Sequence, residues 1–209
     1  LPDGTVQEIH RLGAPSIIEQ KRLLRRGAKL GVDVVLAEVM SVRPENHQVE
    51  VHGILRPHLV LVTNFRVDHV EAHGKTREEV ASVLALDVPP GARAFVPAGE
   101  SEDAFRELVA EAGGEVEVVP EGVARLPASC LPSGASAEFG PNLDLVWAAA
   151  RSLGVEHEAI PGVICKPRDV VGAVGSWRYS VGGGVGPWSR VIAFAANVRV
   201  CAFGVDEGW

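Results

Sequence analysis

The sequence predicts an α/β protein built on a mostly parallel sheet with helices on both faces, and three observations carry that reading. Short strand-forming runs recur at Val32–Ala37, Leu59–Val62, Ala92–Val96 and Glu115–Val119, and Leu59–Val62 is unbroken in its apolar character. Helical segments opened by capping residues separate the later runs, at Thr76 and Ser101. Glycine or proline closes each helix, at Gly31, Pro89-Pro90-Gly91 and Gly113-Gly114. Strands that alternate with helices of ordinary length make a parallel sheet, because each crossover helix returns the chain to the same edge. Apolar runs this short with polar flanks are strands buried on both faces.

The elements follow in order. Leu1 to Ile9 holds a PDG turn and a short alternation, an edge hairpin by pattern. Ser16 with Glu19 three residues on reads as a capping box for a helix ending at Gly31, its apolar face made by Ile17, Leu23, Leu24 and Ala28. The first buried strand is expected at 32–37. Residues 46–58 read as a mixed polar segment. Thr76 and Glu79 make a second capping box, for a helix running to about Leu86. Ser101 is expected to cap a helix reaching Ala112. After a loop-rich stretch from Gly122 to Gly140, Leu143, Val146, Trp147, Ala150 and Leu153 repeat at helical spacing up to Gly154. A short element is expected at 160–165 and a last strand at 191–195.

Composition limits the function. The chain has 209 residues, 46% hydrophobic and 22% charged, with net charge -7, so nothing in it points to a nucleic-acid-binding surface. Cys130, Cys165 and Cys201 are odd in number and far apart, which excludes a disulfide framework and a CxxC knuckle. No run reaches the length of a membrane span and no signal peptide pattern is visible, so a cytoplasmic protein without direct membrane insertion is expected. The chain opens without Met and turns Gly- and Trp-rich after Pro167, as a segment of something longer would.

The chemistry gathers at predicted strand ends, where open α/β sheets place ligands. Glu38 closes the first run. Its carboxylate suits a hard cation such as Mg²⁺, or is a solvated strand-end residue. Asn64, Asp68 and His69 follow the second run. Asn64 and His69 can share a ligand with Glu38, and Asp68 can orient a neighbour, or the three simply make a hydrogen-bonded turn. His47, His52, His58 and His73 match no tight metal spacing and read as surface residues or as supports behind a site; His157 reads as structural. Asn142 is either an N-cap or a ligand contact. No GxxxxGK[ST] phosphate loop occurs within these residues, and Gly182-Gly183-Gly184 is not one.

VVLAEVMSVRPE, LVLVTNFRVDHVEAHGKTREEVA and PNLDLVWAAARSLG together resemble the Mur ligase superfamily, most nearly its poly-gamma-glutamate synthase or capsule-synthesis branch. The resemblance covers about residues 1–165 and implies a central ATP-binding domain of three layers, incomplete at its start because the phosphate loop would precede Leu1. Residues 166–209 would begin a small C-terminal domain or form a disturbed tail. The resemblance implies ATP and Mg²⁺ as cofactors, with Glu38 and His69 as metal ligands. It makes Asn64 and Asp68 the polar frame around the reacting phosphate, and Asn142 the residue approaching adenine. It implies γ-carboxylate phosphorylation of a glutamate chain, then attack by the amine of an incoming glutamate. Glutamate and polyglutamate would be the substrates. Membrane-bound synthase or export subunits would be partners, which would hold the protein at the membrane periphery. On these residues alone the chain would be weak or inactive. A non-catalytic nucleotide-fold scaffold and a metal-dependent hydrolase using Glu38 and His69 stand as alternatives.

Overall fold

The computed structural model describes residue 13, residues 16–126 and 140–161, and the backbone of 139, 162–164, 173–181 and 184–190. Three parallel strands form its sheet: β1 (Leu59–Leu61), β2 (Arg93–Pro97) and β3 (Glu115–Val119), in that order. Leu59 pairs with Arg93 and Arg93 with Glu115. Between them run α4 (Arg77–Leu84) and α5 (Asp103–Glu111). The expected β-α-β-α-β alternation is therefore present from residue 59 to residue 119.

Alternating strand residues face two separate cores. Val60, Val62, Ala94 and Val96 join Val80, Leu84, Phe105 and Val109 on one side. Leu61, Phe95 and Val119 meet Leu145 and Ala149 of α6 (Phe139–Ser152) on the other. Helices thus cover both faces, as a parallel sheet requires. Phe65 and Phe105 are fully buried, with ring centroids 5.1 Å apart.

The N-terminal part differs from expectation. Residues 32–37 form no strand: they run without a ladder partner, and Val34, Val35 and Leu36 are 55%, 39% and 57% exposed. An apolar run becomes a strand only when a neighbouring strand supplies its hydrogen bonds, and β1 pairs only with β2 among the described residues. Helix α1 (Glu19–Leu30) starts later than its predicted cap. Glu19 N–H bonds the Ser16 carbonyl at 2.9 Å, so Ser16 heads a turn and no capping box forms. Gly31 ends the helix in the left-handed conformation at φ 65°, as expected. The predicted apolar face fails too: Leu23 is exposed, while Gln20 and Gly27 are buried. A Cβ at Gly27 would lie 2.8 Å from Val35 Cγ2, so the 32–35 segment packs on α1 itself.

The polar segment 46–58 is helical. Helix α2 (Pro44–His47) continues into a π-helical run, Gln48–Leu55, that buries Glu50, Val51 and Ile54. A short helix α3 (Val70–His73) also escaped the sequence reading. Before α4 the Thr76 box is complete: Glu79 N–H donates to Thr76 Oγ1 and Thr76 N–H to Glu79 Oε2, both at 3.1 Å. Ser101 is not the cap of α5; Glu102 takes that position, with no side-chain bond. Helix α6 begins at Phe139, so Asn142 lies in its first turn and is not an N-cap. Helix α7 (Ala159–Ile164) matches the short element expected at 160–165. Beyond it, β4 (Ala173–Val181) and β5 (Gly184–Arg190) pair as an antiparallel hairpin. The hairpin expected at 1–9 and the strand at 191–195 lie outside the described residues, as does Cys130.

Candidate functional site

The site is built where β1 ends. Thr63 and Asn64 follow the strand; Asn64 Oδ1 accepts the Arg66 backbone N–H at 3.0 Å, closing a tight turn. Asp68 does the same for the next bend, its Oδ1 accepting His69 N–H at 2.8 Å. His69 itself has φ 47°, in the left-handed region that non-glycine residues seldom enter. Asn64 and Asp68 are half-buried and His69 is exposed. This loop is tied down from outside. Glu100 Oε2 accepts Phe65 N–H at 3.3 Å and Arg77 Nη2–H at 2.9 Å, and Glu102 takes Arg77 Nε–H at 2.7 Å.

Glu38 sits on the unpaired extended segment and is exposed. Its position is set by a buried neighbour that the sequence did not single out. Glu50 is 0% exposed, and its carboxylate accepts Ser41 N–H at 2.9 Å, Ser41 Oγ–H at 2.6 Å, Met40 N–H at 3.1 Å and Gln20 Nε2–H at 3.3 Å. Gln20 also donates to the Glu38 carbonyl at 2.9 Å. Glu50 therefore acts as the peg on which the 38–41 strap hangs. Although the residue is exposed overall, partial desolvation of its carboxyl pushes it above its ordinary value, and the nearby Glu50 charge adds to that. A carboxylate raised this way gains from a cation brought beside it.

The two halves meet at His73. Its ring lies 5.6 Å, centroid to centroid, from both His69 and His47. His47 and His73 are buried, whereas His52 and His58 are exposed, which separates histidines the sequence could not tell apart. His47 Nδ1 is 2.7 Å from Asp87 Oδ1, and both residues are fully enclosed. Burial lowers the His73 imidazole from its ordinary range, and His47 adds to that; the backbone at Val42 pulls the other way. The Asp87 carboxyl is raised by desolvation, and His47 opposes the rise.

Among the described residues no three of His, Cys, Asp or Glu converge where a metal ion could sit. The reading of Glu38 and His69 asks for less. Mg²⁺ takes one or two carboxylates together with substrate phosphates and keeps several waters. Glu38 supplies a carboxylate of that kind and the exposed His69 an imidazole.

Asn142 stands on α6. Asp144 on the same helix is buried and accepts Gly122 N–H at 2.8 Å and Ala124 N–H at 2.7 Å, locking α6 to the loop after β3. An open cavity of about 880 Å³ lies beside it, lined by Glu117, Val119, Arg125, Trp147, Arg151 and His157 among others. Trp147 and His157 face each other at 5.4 Å between ring centroids. Asn142 is not among the residues lining that cavity.

With this geometry in view, comparison with known proteins is informative. Over 148 residues, 71% of its length, the chain is 26% identical to the capsule biosynthesis protein CapB of Bacillus anthracis. Over 156 residues, 74% of its length, it is 23% identical to the PGA synthase CapB of Bacillus subtilis strain 168. The chain is similar to both CapB proteins over nearly three quarters of its length. It spans 32% and 39% of the length of those two proteins. Solved structures of E. coli FolC in complex with ADP are 20% identical at a TM-score of 0.42, covering 57% of this chain and 32% of theirs. A bifunctional folylpolyglutamate synthase/dihydrofolate synthase from Yersinia pestis, complexed with AMPPNP and Mn, is 19% identical at 0.43, covering 62% and 34%. No family model matches the chain. Among the described residues no helix is long and apolar enough to cross a membrane.

Proposed function

We propose that this chain is the central part of an ATP-dependent ligase that joins the γ-carboxylate of glutamate to an amine, in the manner of capsule-type poly-gamma-glutamate synthases. The observation that supports this most is the similarity to two CapB proteins across nearly three quarters of the chain, together with the TNFRVDH segment standing at the carboxyl end of a parallel strand. A carboxylate is a poor acylating agent, and its charge repels the phosphate that would activate it. A bound Mg²⁺ would offset that repulsion and stabilise the phosphate oxygens as charge develops. Glu38 and His69 are its proposed holders. Asn64 and Asp68 shape the turn that presents His69, and Asn142 is proposed to approach the base of the nucleotide. Residues 1–165 would be the ligase domain, with 166–209 opening a second unit. Glutamate and a polyglutamate chain are the proposed substrates, with membrane-bound export subunits as partners of a cytoplasmic, peripherally held enzyme.

Calorimetric titration of the chain with ATP, with and without Mg²⁺, tests the reading. Magnesium-dependent binding lost in His69→Ala is the expected result. Binding that is indifferent to both Mg²⁺ and His69→Ala would sink the metal assignment.

A further inference from the structure

The open cavity of about 880 Å³ beside α6 has no part in the proposed chemistry: Glu38, Asn64, Asp68, His69 and Asn142 all lie outside its wall. One face of α6 frames it. Trp147 and Ala148 stand three and four residues after Asp144, and four and three before Arg151, so the four share that face. Asp144 fixes the facing loop. It is buried and accepts the N–H groups of Gly122 and Ala124, which holds the loop carrying Val123 and Arg125 against the helix. Val119 and Pro120 also line the cavity, where β3 ends. Open α/β sheets place ligands at such carboxyl ends.

The wall carries charges of both signs, and their partners separate them. Glu117 lies 3.8 Å from Arg93 Nη1 on the neighbouring strand, and Glu158 is exposed. Arg151 Nη1 donates to the Val155 carbonyl at 2.7 Å and lies 3.6 Å from Glu156. These contacts fix the side chain without using all five of its N–H donors. The Arg125 guanidinium has no ion-pair or hydrogen-bond partner among the described residues. Behind the two arginines the lining is apolar, made by Val119, Val123, Ala148 and Pro161, with the Trp147 ring beneath His157.

We infer that this cavity binds an organic anion: a carboxylate or phosphate ester carried at one end of an apolar or aromatic body. The planar fork of a guanidinium matches the oxygens of either group. The apolar lining takes the body of the ligand out of water. Small-molecule sites combine such a lining with a few polar groups that fix orientation. A bare inorganic anion gains nothing from Val119, Val123 and Trp147, and a neutral apolar compound gains nothing from Arg125 and Arg151. A molecule with both parts uses both. Glu117 and Glu158 disfavour a ligand charged along its whole length, so the negative charge belongs at one end. The site is independent of the ligase reading.

The test titrates the full chain with 2-naphthoate, 2-naphthyl phosphate and the neutral 2-naphthamide. Binding is read by NMR from the Trp147 indole N–H, assigned with Trp147→Phe. At least one of the two acids is expected to bind about tenfold more tightly than the amide, and the tighter acid identifies the charged group. Arg151→Met should weaken that acid about tenfold, and the exposed Arg125→Met about threefold, while the amide is unchanged in both. Equal affinity for the amide and both acids overturns the inference, and that comparison needs no variant. So does acid binding that survives removal of both arginines, or no binding of any probe by the wild-type chain. Displacement of the bound acid by ATP would make the cavity part of the nucleotide site and overturns the inference as well.

Discussion

The two buried regions of this molecule are held by opposite means. Around the sheet, Phe65, Val80, Leu84, Phe105 and Val109 exclude water with carbon alone. Beside it, Gln20, Ser41, His47, Glu50, His73 and Asp87 are equally buried but polar. The first region tolerates any pH and punishes lost volume. The second tolerates lost volume better and punishes a lost partner or a changed proton count. Apolar packing holds the strands; hydrogen bonds hold the 38–41 strap on Glu50 and His47 on Asp87.

Truncation in the sheet core should have the largest effect. Phe105→Ala removes a fully buried ring and is expected to cost about 3–5 kcal/mol, read as a fall in the urea midpoint. Glu50→Gln comes next, at about 2–3 kcal/mol, because an amide NH₂ would face the N–H groups of Met40 and Ser41. The same variant removes a like charge near Glu38, so the Glu38 carboxyl should titrate lower by NMR. An unchanged Glu38 would mean that burial alone raises it.

The pH dependence should distinguish the regions next. The folded chain holds His73 below its ordinary value of 6.5, while the unfolded chain does not. The unfolded state therefore takes up a proton first as pH falls, and this contribution to stability is lost on acidification below about 6.5. Asp87 acts in the opposite sense. Its folded value is raised from 3.8, so protonation there favours the folded chain at lower pH. His47, His69 and Asp68 also face His73 and shape the curve. Thermal unfolding from pH 8 to 5 should fall less steeply in His73→Phe, whereas Phe105→Ala should lower the whole curve in parallel.

Smaller effects belong to the surface. Thr76→Ala breaks the capping box of α4 and should cost about 1 kcal/mol by chemical denaturation. Arg77→Met loses two exposed ion pairs with Glu100 and Glu102 and should cost below about 1 kcal/mol, less still at high salt. A larger loss would show that the loop beyond β1 depends on Glu100 being held in place to receive Phe65 N–H.

Both regions contained readable signals, to different degrees. Leu59–Val62, Ala92–Val96 and Glu115–Val119 were legible as strands because short runs rich in β-branched and apolar residues between helix caps have few other homes in a parallel sheet. Thr76 and Glu79 were legible because a capping box is local. The polar cluster was nearly silent. His47 and Asp87 are forty positions apart, and a buried Glu50 looks no different in sequence from an exposed one. His73 follows His69 by four residues on a short helix that the pattern did not reveal, and its burial could not be foreseen. Asn64, Asp68, His69, Glu38 and Asn142 were all named from strand ends, helix starts and resemblance. Of these, Asn64, Asp68 and His69 lie on one loop, and Asn142 lies on α6.

Local pattern was enough for the alternation of strands and helices, for both core faces and for the polar turn after β1, since each depends on residues a few positions apart. Tertiary structure decided the rest. Residues 32–37 carry the composition of a strand, but a strand exists only as one side of a ladder, so pairing rather than propensity settled their state. The same holds for the histidines: a ring nitrogen acquires a role only from the partner placed opposite it, and that placement is a property of the folded chain.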